Sequence, residues 1–268
     1  MDRRPIGIFD SGVGGLTVVH ELQRQLPHES LLYYGDTARV PYGNKSPETV
    51  RRYSREILDF LLGRDVKMVV VACNTASAHA LDELRAASPV PVEGVIEPGA
   101  RAAVKASRSH RIGVIGTAGT VKSGAYERAI RALQRDAQVR SAACPLFVPL
   151  VEEGWFRHSA TTLIAREYLA PLKDEEIDTL VLGCTHYPLL KPLLADELGK
   201  DVKLIDSAEE TAAAVTRALF GAGTEAPADA AGKTHFVVSD APDAFIRVGT
   251  TFLGDAVKDV EQKVLGEH

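Results

Sequence analysis

The chain has 268 residues, 45% hydrophobic and 25% charged, a balance ordinary for a soluble globular protein and sufficient for one large or two medium domains. Its formal net charge of −5 is scattered, with no basic stripe, which argues against nucleic acid or a membrane surface as partner and in favour of a small molecule. Three cysteines without metal-ligand spacing, no apolar run near the roughly 20 residues of a membrane span, and a start, MDRRPIGIFD, without a signal-peptide pattern lead to three expectations: free thiols, no metal, and a cytosolic location.

Short apolar runs predict strands over 6–10, 30–35, 66–73, 90–96, 111–117, 177–184, 203–207 and 235–239. Amphipathic segments lie between them. Ser46 before Pro47 reads as a cap with proline in the first turn, and Val50, Tyr53, Ile57, Leu58, Leu61 and Leu62 follow at helical spacing. Ser207 with Glu210 three residues later reads as a capping box opening a helix through Phe220. Residues 221–233, rich in Ala, Gly, Asp and Thr, read as a mobile linker. Such alternation predicts α/β architecture with mainly parallel sheet.

The chain also repeats itself faintly. Ile6-Gly-Ile-Phe-Asp-Ser-Gly precedes Cys73 by 67 positions, and the similar Ile112-Gly-Val-Ile-Gly-Thr-Ala-Gly precedes Cys184 by 72. Two similar open α/β halves facing each other across a cleft are therefore expected, each with a Gly-rich turn and a strand-end thiol, because ligands of open α/β sheets bind beyond the carboxyl ends of the strands. The Gly-rich turns are not nucleotide motifs. Thr17 stands where a dinucleotide fingerprint needs its third glycine, and Val121 stands before Lys122 where a phosphate-binding loop needs glycine. Their backbone N–H groups at helix starts suit a carboxylate equally well. Asp10, at a strand end, reads either as a helix cap or as a functional carboxylate.

A lone cysteine ending a buried strand is usually a small core residue. Two in equivalent settings, VVVACNTASAHAL and TLVLGCTHYPLL, each followed by polar residues at a helix start, point to chemistry. An ordinary thiol near 8.5 is only about 3% thiolate at pH 7, and reaching half requires about 2 kcal/mol. A helix N-terminus supplies about 0.3–1 kcal/mol, so a substrate ammonium or another donor must contribute. Cys144, beside Pro145, lacks the polar sequel and reads as structural, and Trp155 reads as packing.

The stretches FDSGVGGLTV, YGDTARVPYGNKS, VACNTASA, GVIEPGA, IGVIGTAGTVKSGAY, CPLFVPLVEEG, LGCTHYPLL and IDSAEETA occur in this order along nearly the whole chain. Together they resemble the cofactor-independent glutamate racemases. The resemblance implies interconversion of L- and D-glutamate without a cofactor, D-glutamate supply for peptidoglycan and cell shape, and a homodimer. It implies two domains, residues 1–97 with 208–268 bearing Cys73 and residues 98–207 bearing Cys184. By the same resemblance Cys73 deprotonates D-glutamate and Cys184 L-glutamate, Asp10 and His186 poise them, and Glu152 shares that work. Ser11, Tyr42, Gly43, Asn74, Thr75 and Thr185 correspond to positions contacting the amino acid, while Thr117 and Thr120 read as carboxylate contacts from their place in the second Gly-rich loop. Thiols approaching one α-carbon from opposite faces at about 3–3.5 Å should lie roughly 6–8 Å apart. The alternatives are an aspartate or hydantoin racemase, a cysteine hydrolase using Cys184 with His186, and a non-catalytic amino-acid-binding module. The hydrolase and the binding module leave the second thiol unexplained.

Overall fold

The computed structural model describes residues 1–254 and 257–266, so residues 255, 256, 267 and 268 of the expected first domain lie outside the described residues. In chain order the first part runs β1 (Ile6–Asp10), α1 (Leu16–Gln25), β2 (Leu31–Gly35), α2 (Pro47–Gly63), β3 (Met68–Val71), α3 (Asn74–Ala87), β4 (Val92–Gly94) and α4 (Ile96–Ala106). The middle runs β5 (Arg111–Gly116), α5 (Ala118–Ser123), α6 (Ala125–Leu133), β6 (Gln138–Ala143), α7 (Phe147–Glu152), α8 (Ser159–Asp174), β7 (Thr179–Gly183), α9 (Lys191–Leu198) and β8 (Lys203–Asp206). The last part is α10 (Ser207–Ala222), β9 (Thr234–Val238), α11 (Pro242–Leu253) and β10 (Glu261–Gln262).

The strands form two sheets, one ordered β10-β9-β2-β1-β3-β4 and the other β6-β5-β7-β8, with parallel pairing in both. The order β2-β1-β3-β4 in the first is repeated as β6-β5-β7-β8 in the second, so the internal repetition is architectural. Parallel sheets need crossover helices, and these cover both faces. In β1 the alternation shows this directly: Ile6 and Ile8 enter one apolar cluster, and Phe9 enters the cluster on the opposite face. The larger cluster runs without a break from β1 and α1 into β5 and β7, so the two sheets share one core beneath the cleft.

Local chemistry sets the elements that carry the site. Ser46 accepts a hydrogen bond from the Thr49 N–H, Pro47 opens α2, and Val50, Ile57, Leu58 and Leu61 are fully buried on one stripe of it. Each such burial contributes about 1.5–3 kcal/mol. Elsewhere the structure corrects the sequence reading. The strand expected over 90–96 stops at Gly94, and α4 begins at Ile96, since Pro98 in its first turn needs no N–H. The cap of α10 is Asp206, which accepts from the Ala208 N–H at 2.9 Å, while the Ser207 hydroxyl donates to Leu182 O at 3.1 Å. Strand β6 has no apolar run to announce it, because it is a partly exposed edge strand. The segment read as a mobile linker is held by a buried ion pair. Lys67 Nζ lies 2.6 Å from Glu29 Oε2 and donates to Thr224 O, and Glu29 Oε1 accepts the Ala226 N–H.

Candidate active site

Each sheet ends in a thiol. In the first, β3 leads through Ala72 to Cys73, which stands at the N-terminus of α3; in the second, Cys184 follows β7 directly. Both are 5% exposed. They line the same small cavity, of about 30 Å³, at the carboxyl ends of the strands. A larger open groove of about 600 Å³, between Lys45, His79 and Lys122, adjoins it at Gly43. The thiols line the smaller space and not the groove.

The surroundings of the two sulfurs differ. Burial pushes the Cys73 thiol up to about 12, and the Asp10 charge adds to this, against the Ala76 N–H and the Ser11 hydroxyl. Cys73 Sγ lies 3.7 Å from Ser11 Oγ. Asp10 is buried at the end of β1, where its Oδ2 accepts the Gly12 N–H at 3.0 Å. Burial raises its carboxyl above the usual range, opposed by the charge of His186. Asp10 does not cap α1, which has no side-chain cap; its carboxylate instead holds the turn at Gly12, and its charge acts on the Cys73 thiol.

On the other side, His186 Nδ1 is 3.9 Å from Cys184 Sγ and Nε2 is 2.9 Å from Glu152 Oε1, at the end of α7. Burial lowers the basicity of the ring, but the hydrogen bonds with Cys184 and Glu152 outweigh it and raise His186 to about 10. The ring thus faces Glu152 with one nitrogen and the sulfur with the other, and both contacts favour its protonated form.

Of the expected contact residues, Ser11, Tyr42, Gly43, Asn74 and Thr75 line the cavity from the first sheet's side. Thr117, Thr185 and His186 line it from the second. Asp10, Glu152 and Thr120 sit just behind this lining. Thr75 Oγ1 lies 2.9 Å from Thr117 Oγ1 and 3.2 Å from Thr120 Oγ1, which joins hydroxyls of the two halves in one cluster. Thr185 Oγ1 reaches Asp10 Oδ1 at 3.5 Å. Thr17 donates to Thr185 O at 3.1 Å, so the residue that spoils the dinucleotide fingerprint serves as a link between the halves. The halves meet closely at Gly14, where a Cβ would fall inside 3.0 Å of Thr185 Oγ1 and His186 Nδ1.

Sequence reasoning missed several neighbours. Val40, Pro41 and Val148 also line the cavity. Behind Tyr42, the fully buried Asp36 accepts from the Tyr42 hydroxyl, from Ser239 Oγ at 3.0 Å and from Arg39 Nε at 2.7 Å. The Tyr126 hydroxyl donates to Asn74 Oδ1 at 2.7 Å. Asp36 and Tyr126 both lie inside recognisable stretches, YGDTARVPYGNKS and IGVIGTAGTVKSGAY, which was the available signal. Cys144 is fully buried, as expected of a structural residue. Trp155 differs from expectation: it is 45% exposed and stacks on His158 at 4.3 Å, on the connection between α7 and α8.

Residues 6–215 match the Asp/Glu/Hydantoin racemase family. The glutamate racemase of Geobacter metallireducens is 56% identical over 98% of this chain and 97% of its own. Among solved structures, the glutamate racemase isoform RacE1 of Bacillus anthracis superposes with a TM-score of 0.93 at 42% identity, covering 99% of this chain and 98% of that one. The glutamate racemase of Francisella tularensis in complex with D-glutamate gives a TM-score of 0.92 at 38% identity, covering 98% of each chain. An aspartate racemase from Picrophilus torridus, at 18% identity and a TM-score of 0.57 over 82% of this chain and 94% of its own, shares the fold alone. The chain belongs to the Asp/Glu/hydantoin racemase family, among its glutamate racemases.

Proposed function

We propose that the cavity racemizes glutamate by a two-thiol proton transfer at the α-carbon, with no metal or organic cofactor. One observation carries the reading: strand-end cysteines from two sheets of the same strand order line one cavity, each with a buried ionisable companion. In the L-to-D direction the Cys184 thiolate takes the α-proton, and the Cys73 thiol delivers its own proton to the opposite face. The D-to-L direction reverses both steps. The raised proton affinity of His186 favours a positive charge beside Cys184 Sγ, while burial and the Asp10 charge favour the protonated Cys73 thiol, an arrangement that suits Cys184 as the base toward L-glutamate. Turnover of D-glutamate requires Cys73 to lose its proton first, and the substrate ammonium is the positive charge that would favour this.

Removing an α-proton places negative charge on the substrate carboxylate, which must be met by preorganised donors in a water-poor space. Asn74, Thr75, Thr117 and Thr120 supply such donors, and Ser11, Tyr42, Gly43 and Thr185 surround the remainder of the amino acid. A cysteine hydrolase would use one thiol, and a binding module neither. Two domains are proposed, residues 1–97 with 208–268 and residues 98–207, closing on the substrate as a homodimer of such chains. The product serves peptidoglycan synthesis and cell shape from the cytoplasm; among the described residues no helix is long and apolar enough to cross a membrane.

The test is a chirality assay with glutamate and with aspartate, in H₂O and in D₂O. L-Glutamate in D₂O should at early times yield D-glutamate deuterated at the α-carbon, with the remaining L-glutamate largely unlabelled. Product that retains the substrate's α-hydrogen, or racemization of aspartate in preference to glutamate, overturns the proposal.

A further inference from the structure

Tyr126 sits in α6, on the second sheet's side of the cleft, and is 2% exposed. Its ring is held between two glycines: a Cβ at Gly183, the residue before Cys184, would meet it at 3.0 Å, and one at Gly99 at 3.3 Å. From there its hydroxyl crosses to the other half and donates to Asn74 Oδ1 at 2.7 Å, next to Cys73. One rigid side chain thus touches both thiol-bearing turns. Asn74 lines the cavity and is 3% exposed, and its Nδ2 finds no partner among the described residues. A buried amide nitrogen left without a partner is rare enough to need an explanation.

We infer that Tyr126 is a positioning residue that turns the Asn74 amide so that its N–H₂ group faces the substrate carboxylate. This rests on the racemase reading of the site. An ionised carboxylate only accepts hydrogen bonds, so an amide presenting nitrogen attracts it and one presenting oxygen repels it. Oδ1 and Nδ2 have nearly the same shape, and packing alone does not choose between them. The Tyr126 hydroxyl chooses, because its hydrogen is directed to Oδ1. Without that hydroxyl the amide can rotate and offer oxygen to the substrate.

The test compares wild type, Tyr126→Phe, Asn74→Ala and the double variant by kinetics with both glutamate enantiomers and by thermal melting. For Tyr126→Phe, KM should rise roughly 10-fold, the worth of one hydrogen bond to a charged group, with a much smaller change in kcat. In the Asn74→Ala background the same substitution should change kcat/KM less than about 2-fold, since there is no amide left to orient. A wild-type KM in Tyr126→Phe, or an equal loss in both backgrounds, overturns the role of Tyr126. Should Tyr126→Phe not fold, a structure of the wild type with bound glutamate decides: Asn74 Nδ2 within hydrogen-bond distance of the substrate carboxylate, with Oδ1 on Tyr126, supports the orientation, and an Asn74 side chain out of reach of that carboxylate overturns it. Wild-type enzyme inactive on glutamate refutes the functional reading itself, a result distinct from every outcome with the variants.

Discussion

Gly14→Ala should damage the site more than its size suggests. The new Cβ would fall inside 3.0 Å of Thr185 Oγ1 and His186 Nδ1, whereas ordinary contact begins at 3.4 Å. Both atoms belong to short side chains buried beside Cys184, so relief requires the loop after β1 and the turn after β7 to part by roughly 1 Å, with little room to do so by side-chain rotation. Overpacking of this kind costs about 1–3 kcal/mol, which in a chain of this size lowers Tm by a few degrees to about 10 °C. The kinetic effect should be larger. Moving His186 and Cys184 by that distance relative to Asp10 and Cys73 should lower kcat about 100-fold, since near-attack geometry tolerates little displacement. Racemization followed by circular dichroism and a thermal melt measure the two effects. Gly63→Ala is the control: it ends α2 with nothing near its Cβ position, and should leave kcat unchanged while stabilising by up to about 1 kcal/mol. Wild-type kcat in Gly14→Ala would show that the two loops do not need this close approach.

Replacing either cysteine by alanine should abolish racemization in both directions, yet Cys73→Ala should still exchange the α-hydrogen of L-glutamate slowly in D₂O and Cys184→Ala that of D-glutamate; exchange of the opposite isomers reverses the assignment. Because the folded-state value of His186 is raised from 6.5 to about 10, the stability it contributes is complete below pH 6.5 and lost as pH rises through about 10. Tm should therefore fall across that window, with Cys73 adding to the fall between pH 9 and about 12, and Glu152→Gln should flatten the His186 part; a Tm independent of pH from 6.5 to 10 contradicts the ion pair. Lys67→Met leaves Glu29 buried without its cation and should cost about 3–5 kcal/mol, read as a large drop in Tm with kcat little altered; an unchanged Tm would mean that the pair does not hold the segment after α10.

Much of the fold was legible because buried parallel strands are written as apolar runs and their helices as 3.6-residue stripes. All five residues of β1 and the stripe of α2 are read directly from such patterns, and the equivalence of Cys73 and Cys184 follows from two runs of the same kind. Where the pattern was weak the reading slipped. The edge strand β6 has no buried face to mark it, and the boundary between β4 and α4 was blurred by β-branched residues that suit both.

Both thiols, Asp10 and His186 are placed at strand ends by local order alone, since each lies on a strand or in the turn that follows it. Which of these groups meet depends on how the chain packs. The pairing of Glu152 with His186, separated by 34 positions, the hydroxyl cluster of Thr75 with Thr117 and Thr120, and the Tyr126 contact to Asn74 all join residues distant along the chain. The burial that raises Cys73 and the ionic contact of His186 with Glu152 likewise arise only when distant segments pack together. Proton affinity depends on how much water is excluded and on which charges remain nearby, and neither exists until the two sheets close on the same cavity.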